Sequence, residues 1–266
     1  MFWIRFRSSV MLMIITTASL LIGRELLFGI LVLISLIGMT ELYQVVGMKK
    51  SLPAMAGYVT CLIYDGLVYI KKDEYCFRLG IIFLLVLMFT YIICFPKYRS
   101  EQITMIYFGF YYVAVMLMFI YQVRMAKGGE YLVWLIFIGA WGSDTFAYLI
   151  GRKFGKYKIV PKLSPKKSAQ GCIAGVFGAA FLGFLFALVF SNHMKEMKNP
   201  LLAFTIIGGC SSIISQMGDL AASAIKRNHE IKDYGTLIPG HGGVLDRFDS
   251  IIFTAPVVYF LSQILM

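Results

Sequence analysis

Residues 171–191 read GCIAGVFGAAFLGFLFALVFS, a run of 21 residues without a charged side chain. A helix of about 17 to 25 apolar residues crosses a hydrocarbon core of about 30 Å. The chain as a whole is 59% hydrophobic, above the roughly half found in soluble domains. The sequence therefore predicts an all-α protein, a polytopic bundle of transmembrane helices.

Similar apolar runs recur along the chain and are separated by short polar breaks. They predict about nine spans, which lie near residues 9–23, 26–46, 53–70, 77–96, 103–122, 131–150, 171–191, 201–225 and 250–265. The first run follows Arg5 and Arg7 as a signal peptide would, but no small-residue cleavage site follows before Arg24. We expect it to be a retained helix.

The distribution of lysine and arginine predicts how the bundle is oriented, because the excess normally stays cytoplasmic. Alternate loops hold seventeen of the 25 such residues, and most of these lie after Gly151 and after Ile225. We expect a cytoplasmic N-terminus and a polar active-site cavity that opens to the cytosol. The net charge of +11 fits anionic lipids or phosphorylated substrates, although the topology of a membrane protein can account for it alone.

Four carboxylates lie within the apolar segments, where a charge costs about 2.5 to 3.5 kcal/mol. Glu41 and Asp65 lie where a span can end or face a polar interior, and we interpret them as structural. Asp144 precedes a basic loop, and Asp219 begins the sequence DLAASAIKR. We expect these two to be functional.

One face of the Asp219 helix is polar, because Ser215, Asp219, Ser223 and Lys226 recur at helical spacing. Such a stripe can hold helices together by hydrogen bonds. Since it ends in Lys226 and Arg227 at the membrane surface, we favour a functional face.

A charged segment that includes a Gly-rich turn follows, with the sequence SAIKRNHEIKDYGTLIPGHGGVLDRFD at residues 223–249. Glycines in a PGHGG turn let backbone N–H groups approach phosphate oxygens, and His241 can bind phosphate, shuttle a proton or hold the loop. Asp246 and Asp249 point the same way on a helix that begins near Leu245, as metal ligands or as helix caps. Asp219 and Asp246 are the preferred ligands for Mg²⁺, with Asp144 either as a further ligand or as a neighbour of the ligands.

The same segment resembles the signature of the phosphatidate cytidylyltransferase (CDP-diacylglycerol synthase) family. The matching positions are Ser223, Ile225, Lys226, Arg227, Lys232, Asp233, Gly235, Ile238, Pro239, His241, Gly242, Gly243, Asp246, Arg247 and Asp249. SPKKSAQG at residues 164–171 resembles a second motif of that family.

The resemblance implies a reaction between CTP and phosphatidate that gives CDP-diacylglycerol and diphosphate, assisted by Mg²⁺ and with a second cation left open. It implies catalytic roles for Asp144, Asp219, Lys226, Arg227 and Asp246. It implies that phosphate or headgroup is bound by Ser164, Lys166, Lys167, Ser168, Gln170, Ser223, Lys232, His241, Gly242, Gly243 and Arg247. The metal ligands would be Asp219, Asp246, Asp144 and Asp249.

Two other functions stay open from the sequence: a CTP-dependent polyprenol or phytol kinase, and an ion-coupled transporter. We expect residues 1–130 to be N-terminal transmembrane helices and residues 131–266 to hold the catalytic helices and loops. By analogy with the family we expect a bacterial plasma (inner) membrane and no nucleic-acid partner, with a homodimer left open.

Overall fold

We describe a computed structural model of the chain. It describes residues 2–194 and 197–266, with the side chains of Phe2, Ile4 and Arg5 outside that description. Its α-helices in chain order are α1 (Phe2–Ile22), α2 (Arg24–Val45), α3 (Leu52–Tyr69), α4 (Cys76–Ile93), α5 (Ser100–Gly109), α6 (Met116–Met125), α7 (Gly129–Phe137), α8 (Ser143–Phe154), α9 (Ala169–Phe190), α10 (Pro200–Asn228) and α11 (Leu245–Leu265).

Short helical segments of other pitch complete the described fold. The π-helical segments Phe110–Val115 and Ile138–Gly142 join α5 to α6 and α7 to α8, and short 3₁₀ turns lie at Asp73–Tyr75 and Ser191–His193. The described residues contain isolated β-bridges and no β-strand. The predicted all-α class is confirmed.

Within the described residues, eight helical segments are long and apolar enough to cross a membrane. They are Arg24–Val45, Leu52–Tyr69, Asp73–Ile93, Ser100–Met125, Gly129–Phe154, Ala169–His193, Pro200–Asn228 and Leu245–Leu265. They match the last eight predicted spans. Helix α1 has a shorter apolar stretch, Phe6–Ile22, so a ninth span stays a prediction.

The chain forms two compact units, each described here by itself. The first comprises Met1–Tyr121 with Asp233–Arg247, and the second comprises Gln122–Lys232 with Phe248–Met266. The predicted functional division at residue 130 stays a prediction.

The first unit packs around the fully buried side chain of Tyr43 on α2. Its hydroxyl donates a hydrogen bond to the carbonyl oxygen of Ile106, at 2.9 Å. A Cβ atom added at Gly57 or at Gly109 would lie 2.8 or 2.6 Å from this ring system, closer than packed atoms tolerate. Two glycines therefore make the space that Tyr43 fills.

The second unit depends on close packing between α9 and α10. A Cβ atom added at Gly208 would lie 2.7 Å from the carbonyl oxygen of Ala179, and one added at Gly183 would collide with the carbonyl oxygen of Phe204. Small residues let helix backbones approach in this way inside membranes. This packing fixes α9, and hence the loop before it, against the polar end of α10.

Candidate functional site

The second unit contains a cavity of about 560 Å³ where the end of α8 and the start of α9 meet α10. Its described lining combines carboxylates, cations and small residues: Asp144, Ala147, Tyr148, Gly151, Arg152, Gly155, Lys158, Ser164, Pro165, Lys166, Lys167, Ser168, Gly171, Cys172 and Asp219. The structure therefore brings together two predicted carboxylates and most of the 164–171 motif.

An ion pair joins the motif to α10. Lys167 Nζ lies 2.8 Å from Asp219 Oδ2 and donates a second hydrogen bond to the carbonyl oxygen of Gln216, at 3.0 Å. The Lys167 side chain is 12% exposed and that of Asp219 is 40% exposed. This pair holds a cation and a carboxylate side by side at the cavity wall.

A buried hydrogen-bond network fixes the helix that carries Asp144. Ser212 Oγ donates to Ser143 Oγ at 2.8 Å, and Gln216 Nε2 donates to Ser143 Oγ at 3.3 Å and to the carbonyl oxygen of Cys172 at 3.1 Å. These bonds set the start of α8 against α9 and α10. Asp144, the next residue, is exposed and reaches the cavity.

Short-range bonds shape the loop before α9. Gln170 Oε1 accepts hydrogen bonds from the backbone N–H groups of Lys156 (3.1 Å) and Tyr157 (3.3 Å). Ser168 Oγ caps α9 by accepting from the N–H of Gly171 at 3.3 Å. Both side chains thus have structural partners, and their predicted role in binding phosphate stays a prediction.

Three glycines make this corner compact. A Cβ atom added at Gly155 would collide with the Ser168 hydroxyl, and one added at Gly171 would lie 2.8 Å from the carbonyl oxygen of Ala147. The cavity wall at Gly151 and Gly171 is consequently backbone. The N–H groups of Ala169, Gly171 and Cys172 at the start of α9 donate to the carbonyl oxygen of Tyr157, to Ser168 Oγ and to the carbonyl oxygen of Ser168, so these three groups serve the fold of this corner.

The 233–247 loop, which carries the predicted PGHGG turn, belongs to the first unit. Asp246 is 6% exposed, and its Oδ2 atom accepts hydrogen bonds from the N–H groups of Tyr234 (2.8 Å) and Gly243 (3.0 Å). His241 Nε2 lies 3.1 Å from Ser9 Oγ on α1. The Gly242 backbone has φ of +88°, a conformation that favours glycine.

Glu41 on α2 also holds this loop, which the sequence did not predict. Its Oε1 and Oε2 atoms accept hydrogen bonds from the N–H groups of Val244 (2.9 Å) and Leu245 (2.8 Å). Glu41 is 8% exposed. Its position inside an apolar span was the available signal, and the structural interpretation of Glu41 agrees with these contacts.

The remaining predicted residues lie outside the described lining of the cavity. Ser223 and Lys226 are partly exposed, while Arg227, Lys232 and Arg247 are exposed. The predicted start of α11 near Leu245 is confirmed.

Asp249 lies farther along α11, and its Oδ1 atom accepts from the N–H of Ser250 at 2.8 Å. Its carbonyl oxygen packs against Gly218, where an added Cβ atom would be 2.9 Å away. Residue 249 thus lies beside the turn of α10 that carries Asp219. The described residues contain no group of three or more His, Cys, Asp or Glu side chains arranged for a metal ion.

Comparison with known proteins identifies the family. The model of the cytidylyltransferase family matches residues 3–265. A phosphatidate cytidylyltransferase of Bacillus subtilis is 29% identical over 239 residues, which cover 86% of this chain and 87% of that protein.

Two further phosphatidate cytidylyltransferases match over a shorter stretch. That of Haemophilus influenzae is 45% identical over 132 residues, or 50% of this chain and 45% of that protein. That of Rickettsia felis is 42% identical over 140 residues, or 52% of this chain and 61% of that protein. The resemblance noted from the two motifs is confirmed. The chain belongs to the cytidylyltransferase family.

Proposed function

We propose that this chain is a phosphatidate cytidylyltransferase, which converts CTP and phosphatidate to CDP-diacylglycerol and diphosphate within a membrane. Membership of the cytidylyltransferase family supports the nucleotidyl transfer. The names of the relatives from Bacillus, Rickettsia and Haemophilus support phosphatidate as the acceptor.

The observation that carries the proposal for the site is the ion pair between Lys167 and Asp219, at 2.8 Å. It joins the 164–171 motif to the polar face of α10 in one cavity. Arg152, Lys158 and Lys166 also line that cavity. A triphosphate needs such cations around it, because its charge must be stabilised as diphosphate departs.

The reaction requires one bond to form and one to break. An oxygen of the phosphatidate phosphate attacks the α-phosphorus of CTP, and the bond from that phosphorus to the β-phosphate bridging oxygen breaks. A phosphate monoester is already ionised at neutral pH, so no proton has to be removed from the attacking oxygen. The residues of the cavity act by positioning the phosphates and by balancing their charge.

The donor set of the cavity fits Mg²⁺. This ion prefers oxygen ligands and usually takes only one or two protein carboxylates, with water and substrate phosphates as the others. Asp144 and Asp219 line the cavity and would hold the ion there. The metal roles of Asp246 and Asp249 stay predictions. A bound Mg²⁺ would neutralise charge on the CTP phosphates.

The predicted topology completes the proposal. The cavity would face the cytosol, where CTP is available, because the loop after Gly151 carries seven lysine and arginine residues. The membrane would be the bacterial plasma membrane. A ninth span, formed by α1, would put the N-terminus on the same side.

Product analysis of the purified protein tests this function. With labelled CTP, phosphatidate and Mg²⁺, we expect diphosphate and a labelled lipid, and EDTA should abolish both. Release of CDP with phosphorylation of a lipid alcohol would instead identify a CTP-dependent kinase. Uptake of a solute into proteoliposomes without CTP, and no labelled lipid, would identify a transporter.

A further inference from the structure

Glu41 occupies an unusual position for a carboxylate within an apolar helix. It lies in α2, in a candidate span, and is 8% exposed. Its two oxygens each accept one backbone N–H, from Val244 and Leu245. Val244 directly precedes α11 and Leu245 is its first residue, and they are 203 and 204 residues away from Glu41 in sequence.

These two bonds satisfy a need of the helix. The first N–H groups of an α-helix have no partner within the helix, and a negative charge at this end also favours the helix dipole. The residues just before α11 are hydrophobic or glycine, with the sequence GGVL at 242–245, and offer no side-chain oxygen. Glu41 therefore supplies from another helix the cap that the local sequence lacks.

The loop is shaped to fit the Glu41 carboxylate closely. A Cβ atom added at Gly235 would lie 2.5 Å from Oε1 and 2.9 Å from Cδ of Glu41, and one added at Gly243 would lie 2.5 Å from Oε2. Glycine at both places is explained by this contact. Asp246 accepts hydrogen bonds from the N–H groups of Tyr234 and Gly243, so the two carboxylates together hold both ends of the loop.

We infer that Glu41 is a positioning residue for the reaction: it holds the 233–247 loop and the start of α11 in the conformation that presents His241, Gly242 and Asp246. The inference rests on the proposed function for its catalytic consequence. It also gives the N-terminal helices a part in the site, since α2 supplies the anchor.

Glu41→Gln tests the inference with little change in size, because the amide keeps only one acceptor oxygen. We expect kcat to fall about 10- to 100-fold, the range usual for residues that orient a site through others, with the KM for CTP changed less than about threefold. The matched control is Asp65→Asn. Asp65 is also buried in an apolar helix of the first unit, at 1% exposure, and it accepts a hydrogen bond from the Cys61 thiol. The Asp65→Asn variant should keep kcat within about twofold of the parent chain.

Hydrogen exchange measured by mass spectrometry provides a readout that does not depend on turnover. In detergent-purified protein, the peptide covering residues 240–248 should take up about two more deuterons in Glu41→Ala than in the parent chain. Asp65→Asn should leave that uptake unchanged. Unchanged uptake in Glu41→Ala would overturn the inference, whatever the activity.

A double-mutant cycle separates positioning from general loss of stability. Gly235→Ala alone should lower kcat, because its methyl group would meet the Glu41 carboxylate. In the Glu41→Asp background the side chain is one methylene shorter. The fold decrease in kcat caused by Gly235→Ala should therefore be at least threefold smaller in that background. An equal fold decrease in kcat in both backgrounds would contradict the inference. If the parent chain shows no cytidylyl transfer while the exchange pattern holds, the proposed function fails and the anchoring role stands.

Discussion

The loop before α9 and the loop before α11 carry similar chemistry but are held in different ways. Each is polar, contains glycine and precedes an apolar helix. The loop of residues 155–168 is shaped by neighbours in sequence, since Gln170 at the start of α9 accepts hydrogen bonds from residues 13 and 14 positions away and Ser168 caps α9. The end of the 233–247 loop is held by Glu41, which is 203 and 204 residues away from Val244 and Leu245. The loop before α9 can form together with its own helix, whereas the loop before α11 needs α2 already in place.

The largest effect should come from Asp219, where the local loop meets α10. Asp219→Asn keeps an oxygen that can accept a hydrogen bond from Lys167. It removes the negative charge of the carboxylate, which we propose binds the metal beside the CTP phosphates. We expect diphosphate release to fall by about 100- to 1,000-fold, with the thermal unfolding midpoint unchanged. Activity within threefold of the parent chain would remove Asp219 from the site.

Lys167 should have the next largest effect. Lys167→Met removes the cation from the ion pair and from the CTP phosphates, and we expect kcat/KM for CTP to fall about 10- to 100-fold. Lys162→Met is the matched control, since Lys162 lies in the same loop, is exposed and is absent from the described cavity lining. Equal losses in the two variants would show that the total charge of the loop matters and the ion pair does not.

The comparison also predicts which of two substitutions lowers the free energy of unfolding more. Ser168→Ala removes one local helix cap and should lower the free energy of unfolding by about 1 kcal/mol. Asp246→Ala should lower the free energy of unfolding more. It leaves the buried N–H groups of Tyr234 and Gly243 without this acceptor, and each such group costs about 1 to 3 kcal/mol. Chemical unfolding in detergent would measure both. A larger loss of unfolding free energy in Ser168→Ala than in Asp246→Ala would mean that Asp246 does not hold the 233–247 loop.

The sequence predicts what depends on local pattern and composition. Eight spans follow from apolar length, and the start of α11 near Leu245 follows from the residues around it. The pairing of Lys167 with Asp219 does not follow, because it depends on how closely α9 and α10 pack through Gly183 and Gly208. Motif resemblance placed both residues in one site without giving their contact.

The role of Glu41 could not be predicted for the same physical reason. An acidic residue in an apolar span indicates a partner, but the sequence does not say which backbone group donates to it. Only the folded chain shows that α2 passes the start of α11, with Gly235 and Gly243 leaving room for the carboxylate. Long-range contacts of this kind have no periodicity that a sequence pattern can reveal.

The central proposal is that Asp219 and Asp246 each support a Mg²⁺-assisted reaction, and the dependence of rate on Mg²⁺ concentration tests it most directly. It should be measured for the parent chain, Asp219→Asn and Asp246→Asn, with Asp65→Asn as the control. We expect both site variants to need at least tenfold more Mg²⁺ for half of their maximal rate, and the control to match the parent. An Asp246→Asn protein with the parent's Mg²⁺ dependence and full turnover would contradict the claim.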